Sequence, residues 1–277
     1  MKIKKYSYSR LNSYKNCPLK YRLTYIDKIE KYDESIEAFF GKLIHKCLEW
    51  VYNEKIKNNK KYFSLDQLTN KYKEYWDQDW HDKIRMFQYR YPKKIYDFVK
   101  KKKMDYYTLG INNLVNYYSS HGPYFDNDTV NVEQKIEFSL LDYSFVGVID
   151  RIDQDNPSKI HIIDYKTGKK NLSQKQLSKS LQMGLYSYAV QSKFSGIKAE
   201  DVILSHYYTR NGKLVSIDGS DIDYEQLDEK LINSIKLIEK SEQENNFESK
   251  ESNLCNWCYF WEECDKKNGK NPSLFLE

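Results

Sequence analysis

The chain has 277 residues, 40% of them hydrophobic, with 26 tyrosines, 12 phenylalanines and a net charge of +5. That length and aromatic content supply a sizeable core, so no disulfide framework is needed to hold a small scaffold together. No run of eighteen apolar residues occurs and no apolar stretch of signal-peptide length follows Met1, which argues against a helical membrane protein and predicts a soluble, cytoplasmic one with no membrane partner. The mild positive charge suits a polyanionic partner, but the excess of Lys, Asn and Tyr follows equally from biased genome composition.

From Ser9 to Tyr25, Leu11, Tyr14, Leu19 and Leu23 recur at roughly helical spacing, predicting a helix capped by Ser9 and bent at Pro18. A second helix is expected from about Ile36 to Lys57, where Phe40, Leu43, Ile44, Cys47, Leu48 and Val51 form one apolar stripe with His45 just off it. Cys47 reads as a small buried hydrophobe. The stretch from Ser64 to Ser120 is helix-like, with a break at Tyr91-Pro92 and a stop at His121-Gly122-Pro123, and predicts a helical insertion over about residues 60–122.

The pattern then changes to period two. Val132 to Leu140, Tyr143 to Asp153 and Lys159 to Lys166 predict three strands, joined at Leu141-Asp142 and Asp155-Asn156-Pro157-Ser158 into an antiparallel meander. A long helix is expected from Ser173 to Phe194, then strands over Val202 to Thr209 and Lys213 to Ile217 around an Asn211-Gly212 turn, and a charged helix over Tyr224 to Glu242. The architecture predicted is a single α/β (α+β) domain. It has a core over about residues 130–218, flanking helices, and a cysteine-bearing tail over 222–277.

Two of the strands carry a carboxylate at the end of an apolar run: Gly147-Val148-Ile149-Asp150 and, with its acid fourteen residues further on, Ile162-Ile163-Asp164-Tyr165-Lys166. Side chains alternate along a strand, so Asp164 and Lys166 face the same way, and antiparallel pairing brings Asp150 beside Asp164. Two carboxylates at the edge of an apolar sheet repel and lose hydration unless a cation or proton resolves the conflict. Mg²⁺ or Mn²⁺ resolves it with oxygen ligands and presents a water to a phosphodiester, while Lys166 orients that water and offsets charge on phosphorus. An Asp-x-Lys on its own is more often a surface ladder. Here the paired Gly-x-x-Asp and the apolar strands leading into both acids weigh against that. Arg151 alternates away from the acids, which favours a structural or DNA-backbone role.

These residues resemble the PD-(D/E)XK nuclease superfamily, and within it the RecB-like exonuclease branch. Phe40-Gly41-Lys42-Leu43-Ile44-His45 is similar to that branch's first motif, and Gln182-Met183-Gly184-Leu185-Tyr186 to its Gln-x-x-x-Tyr motif. The resemblance implies a restriction-endonuclease-like fold with a central mixed sheet. It makes Asp150, Asp164, Lys166, Gln182 and Tyr186 catalytic, and His45, Asp150, Asp164 and the carbonyl of Tyr165 metal ligands. Glu133 matches an acidic position of the family and is a secondary candidate beside the bland alternative of an exposed strand acid. Glu49, one turn beyond His45, is more simply a solvent-facing or lysine-paired acid.

Cys255-Asn256-Trp257-Cys258 followed by Cys264 gives three thiolates, and Cys17 can supply the fourth. Four thiolates suit Zn²⁺ and iron-sulfur alike. Resemblance to the iron-sulfur RecB-like nucleases, the AddB type and the CRISPR-associated exonucleases, extends to Ser7-Tyr8-Ser9-Arg10-Leu11, Pro18 and Tyr21. It implies a [4Fe-4S] cluster on Cys17, Cys255, Cys258 and Cys264, stapling the two ends of the domain. The expected function is therefore a metal-dependent DNA exonuclease acting on single strands or ends, in repair, recombination or CRISPR adaptation. No Gly-x-x-x-x-Gly-Lys-Ser/Thr loop is present, so a helicase partner would be another chain. The competing expectations are a nuclease subunit dependent on that partner and a vestigial DNA-binding module.

Overall fold

Alternating apolar residues between residues 129 and 218 build the sheet on which everything else is arranged. The computed structural model describes residues 4–87, 95–267, 271 and 273–275. In chain order its elements are β1 (Lys5–Tyr6), α1 (Tyr8–Asn16), α2 (Pro18–Tyr21), a π-helical turn (Arg22–Ile26), β2 (Glu34–Ser35), α3 (Ile36–Asn58), α4 (Leu65–Asp79) and β3 (Ile84–Phe87). There follow α5 (Ile95–His121), β4 (Thr129–Leu140), β5 (Tyr143–Asn156), β6 (Lys159–Lys166), α6 (Gln174–Leu177), α7 (Leu181–Lys193), β7 (Val202–Tyr208), β8 (Lys213–Asp218), α8 (Tyr224–Gln243) and β9 (Ser273–Phe275).

The chain divides into two compact units, the first built from Met1–Lys5, Phe40–Asp79 and Tyr107–Asp228, the second from Tyr6–Phe39, Trp80–Tyr106 and Glu229–Glu277. The first unit carries the principal sheet, in which β4, β5, β6, β7 and β8 are neighbours in that order. Pairings β4–β5, β5–β6 and β7–β8 are antiparallel; β6–β7 is parallel, which makes the sheet mixed. The Leu141-Asp142 joint closes the first hairpin with both residues at positive φ, 51° and 64°, as the primed two-residue turn demands. Ile149, Ile152, Ile160, Ile162 and Leu204 are fully buried, and so are Leu43, Ile44, Cys47, Leu48 and Val51 of the α3 stripe. The stripe read from the sequence is thus core, Cys47 included.

Three expectations need correction. The helix expected over Ser9 to Tyr25 is two helices, with Cys17 extended at φ −162° between them. Pro18 lacks the N–H that a continuous helix needs and so opens a new helix at its first position; the N-cap is Ser7, which accepts the Arg10 amide, not Ser9. Within the helix-like stretch from Ser64 to Ser120 lies β3, whose pairing with β2 and β9 in the second unit overrides local propensity; the break expected at Tyr91-Pro92 lies outside the described residues. The helix expected over Ser173 to Phe194 is α6 and α7, because Ser180 turns extended and caps α7 through the Met183 amide. Among the described residues no helix is long and apolar enough to cross a membrane.

Candidate active site

Register alone assembles the acids. Arg151 of β5 pairs with Ile163 of β6, so Asp150 and Asp164 stand one step further along their strands, on one face. On β4, Glu133 lies between the Val132–Arg151 and Gln134–Ile149 pairs and so beside Asp150. Its φ of +45° is a strained conformation for glutamate. From α3, His45 turns Nδ1 to within 3.3 Å of Asp150 Oδ2 and Nε2 to within 3.1 Å of the Tyr165 carbonyl. The Tyr165 amide donates to Asp150 Oδ2 at 2.8 Å. Gly41, one turn before His45, lies against the residue that follows β6: a Cβ there would meet Thr167 Oγ1 at 3.2 Å.

His45, Glu133 and Asp150 each offer a ligand atom within 4.8 Å of the other two. Asp164 stands beside this group, its oxygens engaged elsewhere. Oδ1 accepts from Gln182 Nε2 at 2.8 Å, and Oδ2 touches Lys166 Nζ. Lys166 also donates to Gln182 Oε1 at 3.1 Å, so the Gln182 amide spans the acid and the lysine. Tyr186, one turn on, donates to the Val148 carbonyl at 2.7 Å and receives Gln182 Nε2 at 2.9 Å. The spacing of four residues puts both side chains over the strand ends, as expected of one helix face. Between them, Gly184 has no room for a side chain, since a Cβ would lie 2.4 Å from Leu227 Cδ2.

The electrostatics follow from the crowding. Burial, and then the Asp150 charge, raise Glu133 to about 7, against the counter-pull of His45. The same two influences push Asp164 up, with Lys166 opposing. For His45, burial disfavours the charged ring, but Asp150, Asp164 and Glu133 together outweigh it and raise it to about 9. Without a cation, protons and His45 take over the neutralising role. Glu49 is hydrogen-bonded by Asn53 and adds its charge to the set acting on Glu133.

Sequence reasoning missed His206. It pairs with Asp164 across β6 and β7, is 4% exposed, and places Nε2 3.7 Å from Asp164 Oδ2. Burial and the Lys166 charge lower it to about 4, so the ring is neutral. The available signal was a histidine inside the otherwise apolar strand Val-Ile-Leu-Ser-His-Tyr-Tyr. Arg151 does alternate away: it is buried against Tyr52, Tyr117, Tyr165 and Asp153, which makes its role structural.

In the second unit, Cys17, Cys255, Cys258 and Cys264 line one cavity of 390 Å³. Backbone amides point at two of the sulfurs: Lys250 N–H lies 3.5 Å from Cys17 Sγ and Ser252 N–H 3.4 Å from Cys255 Sγ. Among the described residues, no three of these sulfurs fall within 4.8 Å of one another.

A mixed sheet flanked by helices thus carries two acids and a lysine on adjacent strands, beside a His-Glu-Asp group able to hold a divalent cation. The sequence profile of the PD-(D/E)XK nuclease superfamily matches residues 5–265, and the chain belongs to that superfamily. Among solved structures it is similar to a candidate exonuclease from Eubacterium rectale, at a TM-score of 0.51 and 9% identity over 96% of this chain and 90% of that one. It also matches SSO0001, at a TM-score of 0.32 and 13% identity over 94% and 96% of the two chains. No curated protein matches it.

Proposed function

We propose that the chain is a metal-dependent deoxyribonuclease, exonucleolytic on single-stranded DNA or DNA ends. The observation that carries this is the meeting of His45, Glu133 and Asp150 within 4.8 Å beside the bonded trio Asp164, Lys166 and Gln182. A carboxylate-rich donor set with one imidazole fits a hard divalent cation, Mg²⁺ or Mn²⁺. His45, Asp150, Asp164 and the Tyr165 carbonyl would hold it, with Glu133 in reach. When bound, the ion supplies Lewis acidity and a water of lowered pKa. The chain's own groups do the rest. The buried acids hold negative charge against the strand ends, Lys166 donates to oxygens of the scissile phosphate, and Gln182 keeps lysine and acid in register. Tyr186 ties Gln182 to β5 through the Val148 carbonyl.

The superfamily profile runs through both compact units, which supports a single nuclease domain with the helical region over about residues 60–122 as an insertion. Its basic, tyrosine-rich helices would contact phosphates and stack unpaired bases. Repair, recombination or CRISPR adaptation are the settings for such an activity, with a helicase or CRISPR adaptation protein as partner. For the four cysteines we propose a [4Fe-4S] cluster as a terminal staple. A tetrahedral zinc site with Zn–S of about 2.3 Å holds its sulfurs only about 3.8 Å apart. Four thiolates around one cavity are the ligand set an iron-sulfur cluster takes.

Labelled single- and double-stranded DNA with Mg²⁺ or Mn²⁺ tests the activity. Asp150→Ala and Lys166→Ala should each lose about 100-fold or more in rate, and equal cleavage by all three proteins would sink the assignment. Anaerobically purified protein should be brown and contain iron, and Cys258→Ala should be colourless; a colourless wild type holding zinc would overturn the cluster.

A further inference from the structure

Asp164 has a neighbour that the nuclease chemistry leaves unused. His206 faces it across the β6–β7 pairing, and its Nε2 has no hydrogen-bond partner among the described residues. The other ring nitrogen bears on the state of Nε2. Nδ1 lies 3.3 Å from the Tyr208 hydroxyl, and that hydroxyl accepts the Leu172 amide at 2.7 Å. A tyrosine hydroxyl has one proton to give. With the Leu172 N–H on one lone pair, that proton is free for Nδ1, an arrangement that leaves the ring's own proton for Nε2. The opposite tautomer would set a bare lone pair against a carboxylate oxygen in a dry site, where repulsion is strong. Both ends of the ring therefore select the same tautomer.

We propose that His206 is a positioning residue, an imidazole oriented by Tyr208 and Leu172 whose Nε2–H steadies the Asp164 carboxylate. The separation of 3.7 Å to Oδ2 is about half an ångström beyond a hydrogen bond, and catalytic contacts commonly tighten only in the loaded site. Asp164 is then braced from three elements: Lys166 on its own strand, Gln182 on α7 and His206 on β7. Such bracing fixes the carboxylate before the ion arrives, which lowers the ordering cost of binding it. Leu172 belongs to the loop that follows Lys166, so the same chain of bonds ties that loop to the acid.

The catalytic consequence rests on the nuclease reading, whereas the tautomer and the bracing do not. Three variants separate the roles: His206→Phe keeps a flat ring without a donor, His206→Gln restores an amide N–H near the Nε2 position, and Tyr208→Phe removes the orienting hydroxyl. In metal-free protein, nitrogen NMR of the imidazole should show the proton on Nε2. Mn²⁺ affinity, read by titration calorimetry, should fall about 10- to 100-fold in His206→Phe, with His206→Gln recovering most of the loss and Tyr208→Phe intermediate. kcat should follow affinity, with KM for DNA little changed. A proton on Nδ1, or wild-type Mn²⁺ affinity in a folded His206→Phe, overturns the proposal. If the wild type cleaves no DNA while the NMR and Mn²⁺ results hold, the nuclease reading fails and the bracing stands.

Discussion

Replacing Arg151 by methionine removes a buried cation around which the back of the principal sheet is built. Its guanidinium donates to the hydroxyls of Tyr52 and Tyr117, each at 2.5 Å, and of Tyr165 at 3.1 Å, and meets Asp153 Oδ2 at 2.9 Å. Methionine fills similar space, so little of the loss is cavity. The hydroxyls retain one another, Tyr52 to Tyr117 at 2.6 Å and Tyr117 to Tyr165 at 3.3 Å, and Tyr52 keeps Asn127. Asp153 is the group left stranded, 6% exposed, with the Thr129 hydroxyl on its other oxygen. Breaking a buried ion pair from one side costs about 3–5 kcal/mol, chiefly through the uncompensated partner. Urea denaturation followed by tryptophan fluorescence should show that loss, and Arg151→Met/Asp153→Leu should recover part of it. Should Arg151→Met fail to fold, Tyr52→Phe gives a graded version costing about 1.5–3 kcal/mol as a bond to a charged donor. A folded Arg151→Met within about 1 kcal/mol of wild type would refute the reasoning.

Gly184→Ala gains about 1 kcal/mol of helix propensity but drives a Cβ to 2.4 Å from Leu227, at an overpacking cost of about 1–3 kcal/mol. The shift of α7 should also displace Gln182 and Tyr186, so a more stable, fully active variant would contradict the packing argument. Glu133→Gln should raise the stability of metal-free protein by about 0.5–2 kcal/mol, by relieving repulsion from Asp150, while weakening Mn²⁺ binding. Thermal melts and calorimetry read the two effects, and unchanged binding would remove Glu133 from the ion's surroundings. His121 stacks on Tyr117 at 4.2 Å, and burial lowers its pKa. The unfolded chain therefore binds the proton more readily there, and this part of stability is present above about pH 6.5 and lost as pH falls below it. Urea midpoints at about pH 7.5 and 5.5 should differ more in wild type than in His121→Gln; equal differences would contradict it.

The acid pair was legible because β6 is bounded by turn residues and buried on both faces, so its limits at Lys159 and Lys166 follow from the apolar run alone. Gln182 and Tyr186 needed only helical spacing, which survives the break at Ser180 because both lie within α7. What stayed hidden depends on partners distant in sequence. Ile84–Phe87 is a strand because β2 and β9 pair with it, and nothing in Ile-Arg-Met-Phe announces that. His206 meets Asp164 only through the parallel register of β6 and β7, a relation no local pattern encodes. The strain at Glu133 is likewise invisible until the strand is drawn.

The back of the sheet explains why the front can hold its acids. Along β5 and β6 each site residue alternates with an anchor: Asp150 with Arg151, and Asp164 and Lys166 with Tyr165. An apolar residue in place of Arg151 would pack as well, and a buried pair is poor at adding net stability. Its advantage is directional, since apolar contacts tolerate sliding and a guanidinium bound by three hydroxyls and a carboxylate does not. Slipping β6 by one residue against β5 would turn Tyr165 away from Arg151 and Asp164 away from Asp150 in the same motion. Tyr52 on α3 and Tyr117 on α5 extend the lock to two helices. Through α3 it also fixes His45, seven residues or about two turns before Tyr52, against Asp150 and the Tyr165 carbonyl. One buried arginine thus links the strand register that brings two repelling carboxylates together to the helix that supplies the imidazole beside Asp150.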